Sequence, residues 1–245
     1  MRIAFFCPSP LLPTGIGKVA RRLIKGLVEN GYQVVVGNFQ HVGEPLTVDG
    51  AVHFPLFDAD TIPIFLEKTQ PDLAIGYFSH WVPPYSRIGS LCERLGIRYM
   101  QYVTLEFSSV SLHWLEPLTH CNFFAVSSDF GRRLLLKHGV PEEKIKVVYH
   151  GVDMSIYRPI EPRPRFVGYE DKLFFGFVAR NSVRKGFAHI MRAFAMLPKK
   201  VRENSMLYFH TARKEESVSM LGPTRGWDIP LLAVKYNLQG KILLP

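Results

Sequence analysis

Apolar residues recur along the first 150 positions in two alternating rhythms. Short runs dominated by apolar side chains, at 3–6, 32–36, 51–54, 73–77, 97–103, 121–126 and 145–148, read as strands. Between several of them, apolar residues three and four apart predict helices over 17–30, 61–69, 84–95 and 128–138. The first helix carries Val19, Ala20, Leu23, Ile24, Leu27 and Val28 on one face and is followed by Gly31, a residue that favours helix C-termini. Pro71, Gly96 and Gly139 stop the others, and Ser127 or Ser128 caps the last. Strands alternating with helices imply a mainly parallel sheet covered on both faces, with right-handed crossovers. Ligands of such sheets bind beyond the carboxyl ends of the strands.

The rhythm lapses at 158–165, where Pro159, Pro162 and Pro164 crowd a stretch without apolar periodicity. This segment is the best candidate for a linker. A second α/β pattern follows: an apolar strand from Phe174 to Val178, a helix over 187–197, a strand over 206–209, a helix over 229–236 and a strand over 241–244. The chain therefore divides into a first Rossmann-like domain, 1–160, and a second region, 166–245. The second is shorter than the typical domain of about 100–150 residues and is expected to be the first part of one.

With 47% hydrophobic and 13% aromatic residues, a sizeable core can be buried. No apolar run approaches the roughly 18 residues a membrane span needs. Pro8 and Pro10 break the N-terminus too early for a signal peptide. Cys7, Cys92 and Cys121 are an odd number without metal-ligand spacing, which fits a reducing cytoplasm rather than a disulfide framework. The net charge of +9 calls for an anionic partner, whether nucleotide phosphate, nucleic acid or a lipid surface. No aromatic-basic platform or recognition helix favours nucleic acid.

The chemistry concentrates in two turns. After the strand at 174–178 comes a turn holding Arg180, Arg184 and Lys185, and then a helix with Ile190, Phe194 and Leu197 at helical spacing. Cations at a helix start favour phosphate, because the helix dipole and free N–H groups add to the guanidinium and ammonium charges. The loop after the first strand ends Pro13-Thr14-Gly15-Ile16-Gly17, where glycine lets backbone approach a ligand. It lacks the third glycine of a dinucleotide fingerprint, and Asn38 stands where a ribose-binding acid is expected, so a Rossmann-type oxidoreductase is disfavoured. Asp58-Ala59-Asp60 has a metal-binding spacing but precedes a helix, and Asp60 reads as its cap.

Three motifs in this order carry a resemblance: Pro13-Thr14-Gly15-Ile16-Gly17; Lys146-Val147-Val148-Tyr149-His150-Gly151-Val152-Asp153 with Tyr157-Arg158-Pro159; and Gly176-x-x-x-Arg180-x-x-x-x-Lys185-Gly186. The chain resembles the retaining GT-B glycosyltransferases of family 4. The resemblance implies a donor nucleotide sugar held between two Rossmann-like domains, the first on the acceptor side. Arg180 and Lys185 would stabilise the departing diphosphate, with retention and without a metal ion or other cofactor. It also implies donor or substrate contacts at Gly15, Gly17, Gly151, Asn181 and Arg184.

Two features depart from the family. A histidine usual after the strand at 97–103 is replaced by Thr104-Leu105-Glu106, so Glu106 is the substitute candidate; His80 and His113 lie in neighbouring loops and read as solvated. The Glu-x7-Glu motif of the family's C-terminal half has no counterpart in the sequence. The alternative function is thus a catalytically weak nucleotide- or phosphate-binding module. The acceptor is a glycan or a lipid-linked molecule. Lys18, Arg21, Arg22 and Lys25 on the polar face of the first helix allow a peripheral contact with the inner membrane face, against the plainer reading of an amphipathic surface helix.

Overall fold

Strand β1 (Arg2–Cys7) is apolar on both sides: Ile3, Phe5 and Cys7 alternate with Ala4 and Phe6, and all five are buried. Such a strand needs cover on two faces, which parallel neighbours joined by crossover helices provide. The computed structural model describes residues 1–245 except 40, 57, 81–84, 106–110, 163–164 and 220–221. It divides into two compact units, Met1–Met154 and Ser155–Pro245.

The first unit runs β1, α1 (Gly15–Glu29), β2 (Gln33–Asn38), β3 (Leu46–Val48), β4 (Ala51–Pro55), α2 (Thr61–Thr69), β5 (Leu73–Gly76), α3 (Ile88–Arg94), β6 (Arg98–Val103), α4 (Leu112–Leu115), β7 (Phe123–Val126), α5 (Asp129–Lys137) and β8 (Ile145–Val147). Among the described residues these strands form one eight-stranded sheet in the order β3-β4-β2-β1-β5-β6-β7-β8. Every pairing is parallel except β3 with β4; β1 meets β2 in register from Arg2 opposite Gln33 to Cys7 opposite Asn38. On one face Ile3, Phe5, Val34 and Val36 pack with Ala20 and Ile24 of α1. On the other, Ala4, Phe6 and Phe124 pack with Leu66 of α2, Ile88 of α3 and Leu135 of α5.

In the first unit several positions depart from the sequence reading. The antiparallel edge strand β3 is not predicted by periodicity; its signal is Asp49-Gly50, both in the left-handed region (φ 51° and 79°), a two-residue hairpin turn. The helix expected over 84–95 is a 3-10 turn, Tyr85–Arg87, followed by the shorter α3. Asp60 does not cap α2. Its own φ and ψ are helical and its side chain makes no capping bond, whereas Asp58 Oδ1 accepts from the N–H groups of both Asp60 and Thr61 at 3.0 Å. The cap of α5 is Ser128, whose hydroxyl accepts from the Gly131 N–H.

The second unit runs β9 (Leu173–Val178), α6 (Phe187–Ala195), α7 (Lys199–Glu203), β10 (Ser205–His210), β11 (Glu216–Ser219), β12 (Gly222–Arg225), α8 (Ile229–Lys235) and β13 (Ile242–Leu243). Parallel β13, β10 and β9 form a sheet in that order, and β11 and β12 form a separate hairpin. Its core joins Phe187, Met191 and Phe194 of α6 to Leu207 and Phe209 of β10 and Ile229 and Leu232 of α8. The apolar run opening this unit reads as a buried strand, but β9 lies at the sheet edge, and Leu173, Phe175 and Val178 are exposed. No helix among the described residues is long and apolar enough to cross a membrane.

Because the α2 cap is Asp58, Asp58→Ala is expected to destabilise the protein by about 1 kcal/mol. Asp60→Ala should cost clearly less. Urea denaturation of both variants measures the difference; equal losses would return the cap to Asp60.

Candidate active site

Parallel pairing brings the ends of β1, β2, β5, β6, β7 and β8, namely Cys7, Asn38, Gly76, Val103, Val126 and Val147, to one rim of the first unit. Helix α1 starts at this rim. Its cap is Thr14, whose hydroxyl accepts from the Gly17 N–H at 3.0 Å. The N–H groups of Gly15 and Ile16 have no protein partner among the described residues.

The two glycines of this turn differ. A Cβ on Gly17 would sit 2.5 Å from Leu12 O and 2.8 Å from Ser9 O, so this position holds the loop against the helix. Its N–H is also spent on Thr14, so Gly17 serves the packing of this turn. A Cβ on Gly15 would meet nothing within 4 Å, so this end of the helix dipole faces open space. Asn38, where a dinucleotide site would carry an acid, is buried and donates from Nδ2 to Ser9 Oγ at 3.3 Å, tying the end of β2 to the loop after β1.

The segment after β8 is fastened across the rim. The Val148 N–H donates to Val126 O at 2.8 Å, Tyr102 OH donates to Val148 O at 2.5 Å, and Tyr149 OH donates to Asp129 Oδ2 at 2.5 Å. The His150 ring stands edge-on to Tyr77 and Tyr102, at 6.2 and 5.6 Å between centroids. Burial pushes the Tyr77 phenol up to about 12 and raises that of Tyr102, so both keep their protons near neutrality. Gly151 is exposed with open space around it. Asp153 closes the segment with an ion pair to Arg22 of α1. Arg21 pairs with Asp49 at 2.7 Å and Lys25 with Glu29 at 3.7 Å, so three of the four cations on this helix have carboxylate partners.

His80 corrects another expectation. It is buried rather than solvated, and its Nε2–H donates to Trp114 O at 2.8 Å. Burial disfavours its charged form and lowers its pKa to about 4, an effect the carbonyl only partly offsets. Glu106 lies outside the described residues, as does the side chain of His113.

In the second unit β9 leads through Arg180 and Asn181 into a 3-10 turn, Val183–Lys185, and through Gly186 in the left-handed region (φ 76°) into α6. Arg180, Arg184 and Lys185 are all exposed on this turn. Arg180 Nε donates to Glu215 Oε1 at 2.5 Å. Asn181 does not face outward: it is buried, its Nδ2 donates to Ala212 O and Trp227 O at 3.0 and 2.7 Å, and its Oδ1 accepts from the Trp227 N–H at 2.8 Å. With its amide so engaged, the Asn181 side chain organises the turn.

Among the described residues no group of three or more His, Cys, Asp or Glu is placed to hold a metal ion. Two surface cavities, about 400 and 530 Å³, open at the amino ends of the first unit's strands, lined by Arg2, Gln33 and Thr69 in one and Gln70, Asp72 and Arg98 in the other. They lie at the end opposite the rim. In a parallel α/β sheet the carboxyl ends hold the ligand, so the rim is the stronger candidate.

Residues 13–156 match the model of Glycosyltransferase Family 4. The chain belongs to this family. Among solved structures, Anabaena HepE in complex with UDP-glucose is similar with a TM-score of 0.70 at 12% identity, over 100% of this chain and 68% of that one. The lipopolysaccharide outer core galactosyltransferase WaaB, in its apo form, gives 0.61 at 12% identity, over 100% and 67%. The UDP-GlcNAc 2-epimerase from Methanocaldococcus jannaschii gives 0.57 at 11% identity, over 100% and 73%. No curated protein matches. The likeness establishes the GT-B fold, which transferases and an epimerase share; the family match, not the fold, separates them. That match spans Gly15 and Gly151 and stops before Arg180.

Two outcomes follow for this family 4 chain. Gly17→Ala should lower stability by about 1–3 kcal/mol through overpacking, while Gly15→Ala should leave it nearly unchanged, as read by thermal unfolding. The buried His80 binds a proton less readily than the unfolded chain, so stability is complete above the ordinary histidine value of 6.5 and is lost as pH falls towards about 4. The loss is on the order of 3 kcal/mol. In His80→Asn, unfolding free energies measured from pH 7 to 4 should show a correspondingly flatter slope.

Proposed function

We propose that the chain acts as a glycosyltransferase, moving a sugar from a nucleoside-diphosphate sugar to an acceptor with retention and without a metal ion. The observation that carries this reading is the family match over the first unit. The exposed cationic turn at the start of α6 supports it.

Cleavage of the donor's glycosidic bond leaves negative charge on the diphosphate. Arg180 offers a planar fork and Lys185 a point charge to that charge, and Arg184 adds a third cation on the same turn. Preorganised cations of this kind stabilise a transition state by several kcal/mol, because they need no reorganisation as the charge develops. This is the work a divalent cation does in other transferases. The open start of α1 at Gly15 gives the first unit a second group complementary to anionic or polar oxygen. In this reading the first unit takes the acceptor and the second the nucleotide sugar, Gly151 lies at the substrate, and Glu106 acts near the reacting sugar. Since a UDP-sugar is bound in the similar HepE structure, uridine diphosphate is the first donor fragment to try.

The acceptor is a glycan or lipid-linked molecule. For membrane contact through α1, the pairing of Arg21, Arg22 and Lys25 with carboxylates favours the plainer reading of an amphipathic helix packed on its sheet. The competing function, a binding module without turnover, shares the same phosphate site and differs only in yielding no glycosylated product.

The test is calorimetric titration of the 245-residue chain with UDP, GDP and ADP, with and without a chelator, at low and moderate salt. Arg180→Ala and Lys185→Ala should each weaken the best ligand by about 1.5–3 kcal/mol, the worth of a charge-assisted hydrogen bond. Added salt should weaken binding and the chelator should not. Tight binding indifferent to both substitutions would place the phosphate elsewhere and overturn the reading.

A further inference from the structure

We propose that Glu215 is the positioning residue for Arg180, holding its guanidinium oriented for the diphosphate of the donor; this rests on the donor site proposed above. Arg180 Nε donates to Glu215 Oε1 at 2.5 Å, with the two side chains 53% and 21% exposed. A pair so open to water adds little to folding stability. The way Glu215 is held, however, sets it apart from an incidental surface pair.

Its backbone carbonyl accepts from the Gly226 N–H at 2.8 Å, and two residues earlier the Arg213 carbonyl accepts from the Ile229 N–H at 3.0 Å. The buried Asn181 amide binds the Ala212 and Trp227 carbonyls and the Trp227 N–H. Gly226 approaches Asn181 so closely that a Cβ there would stand 2.7 Å from Asn181 O and 2.9 Å from its Oδ1. The residue next to Arg180 in sequence is thus the post to which both arms of the Glu215 loop are tied. The carboxylate is delivered to Arg180 by a loop anchored on the buried Asn181.

The bond is taken at Nε. It fixes the plane of the guanidinium and hence the direction of its forked end, the edge suited to two phosphate oxygens. An unpaired arginine on an exposed turn would lose its rotamer freedom when the ligand arrives; one already held has lost it beforehand. Glu215 also repels the ligand's phosphates. Replacing the carboxylate by an amide separates the two effects, because the amide oxygen still accepts from Nε–H while the charge is gone.

Calorimetric titration with UDP tests this in the full chain. Glu215→Ala should weaken binding about two- to tenfold, the cost of immobilising one long side chain. Glu215→Gln should bind at least as tightly as the parent. In the Arg180→Ala background, Glu215→Ala should produce no further weakening. Thermal unfolding of both Glu215 variants should match the parent, which separates positioning from loss of fold. The inference is overturned if Glu215→Ala binds UDP as well as or better than the parent, or if its effect persists without Arg180. A parent chain that binds no UDP, or whose binding is indifferent to Arg180→Ala, overturns the donor-site reading and this inference with it.

Discussion

Parallel pairing obliges the chain to leave every strand at one rim and to return at the other. The first unit follows from that constraint. Apart from the β3–β4 hairpin, each of its strands can be reached only by a crossover, so helix starts and loop tips gather where Cys7, Asn38, Gly76 and Val147 end their strands. At the β1–α1 turn the crossover is tight enough to bring Gly17 within contact distance of the Leu12 and Ser9 carbonyls. Any side chain there would push the helix off the sheet face it covers, where Ala20 and Ile24 meet Phe5 and Val36. The open position at Gly15 is a consequence: two residues before the locked glycine, the helix start projects beyond the packed loop.

Polar groups near both turns sort into those the fold consumes and those it leaves at the surface. Asn38, His80 and Asn181 are buried and hydrogen-bonded, as burying a polar group requires. Burial raises the Cys7, Cys92 and Cys121 thiols far from the thiolate range, so none is poised as a nucleophile. Arg180, Arg184, Lys185 and His150 stay exposed. The charges of Arg180, Arg184 and Lys185 are thus kept without the cost of desolvating them.

The sequence was most informative where one face had to be buried. The strands at β1, β2, β5, β6 and β7 and the helices α1, α2 and α5 announce themselves through apolar spacing, and Ser128 through its place before α5. The misreadings have physical causes. The run from Phe174 to Val178 is dominated by apolar residues, yet periodicity carries no information on neighbours, and among the described residues β9 pairs with β10 alone and lies at an edge. Asp58 and Asp60 are both suited to capping; which one serves depends on Asp60 already being helical, a backbone fact hidden from composition. Asn181 sits inside the cationic motif and looks like part of it, because nothing local reveals that Ala212 and Trp227, 31 and 46 residues away, close on its amide. Glu215 was invisible for the same reason: its meaning lies in a contact 35 residues distant. The β3–β4 hairpin does carry a local signal, Asp49-Gly50.

As the anion sites of the proposed function, the two turns are unequal, and the inequality bears on how binding would be divided. A helix start contributes about 0.3–1 kcal/mol to a nearby charge at the surface. A charge-assisted hydrogen bond contributes about 1.5–3 kcal/mol, and the turn after β9 carries three cations able to form one. Affinity for a diphosphate should therefore reside mainly in the second unit, although the family signature lies in the first. The first unit is then freed to act on geometry: an open helix start, a rim of protonated tyrosines and a strap fastened by Tyr102, Tyr149 and Asp153. Under the proposed function such a division would suit a transferase, since charge would grip the donor portion common to many sugars, while the part that differs between enzymes would meet a surface whose shape is set by loops.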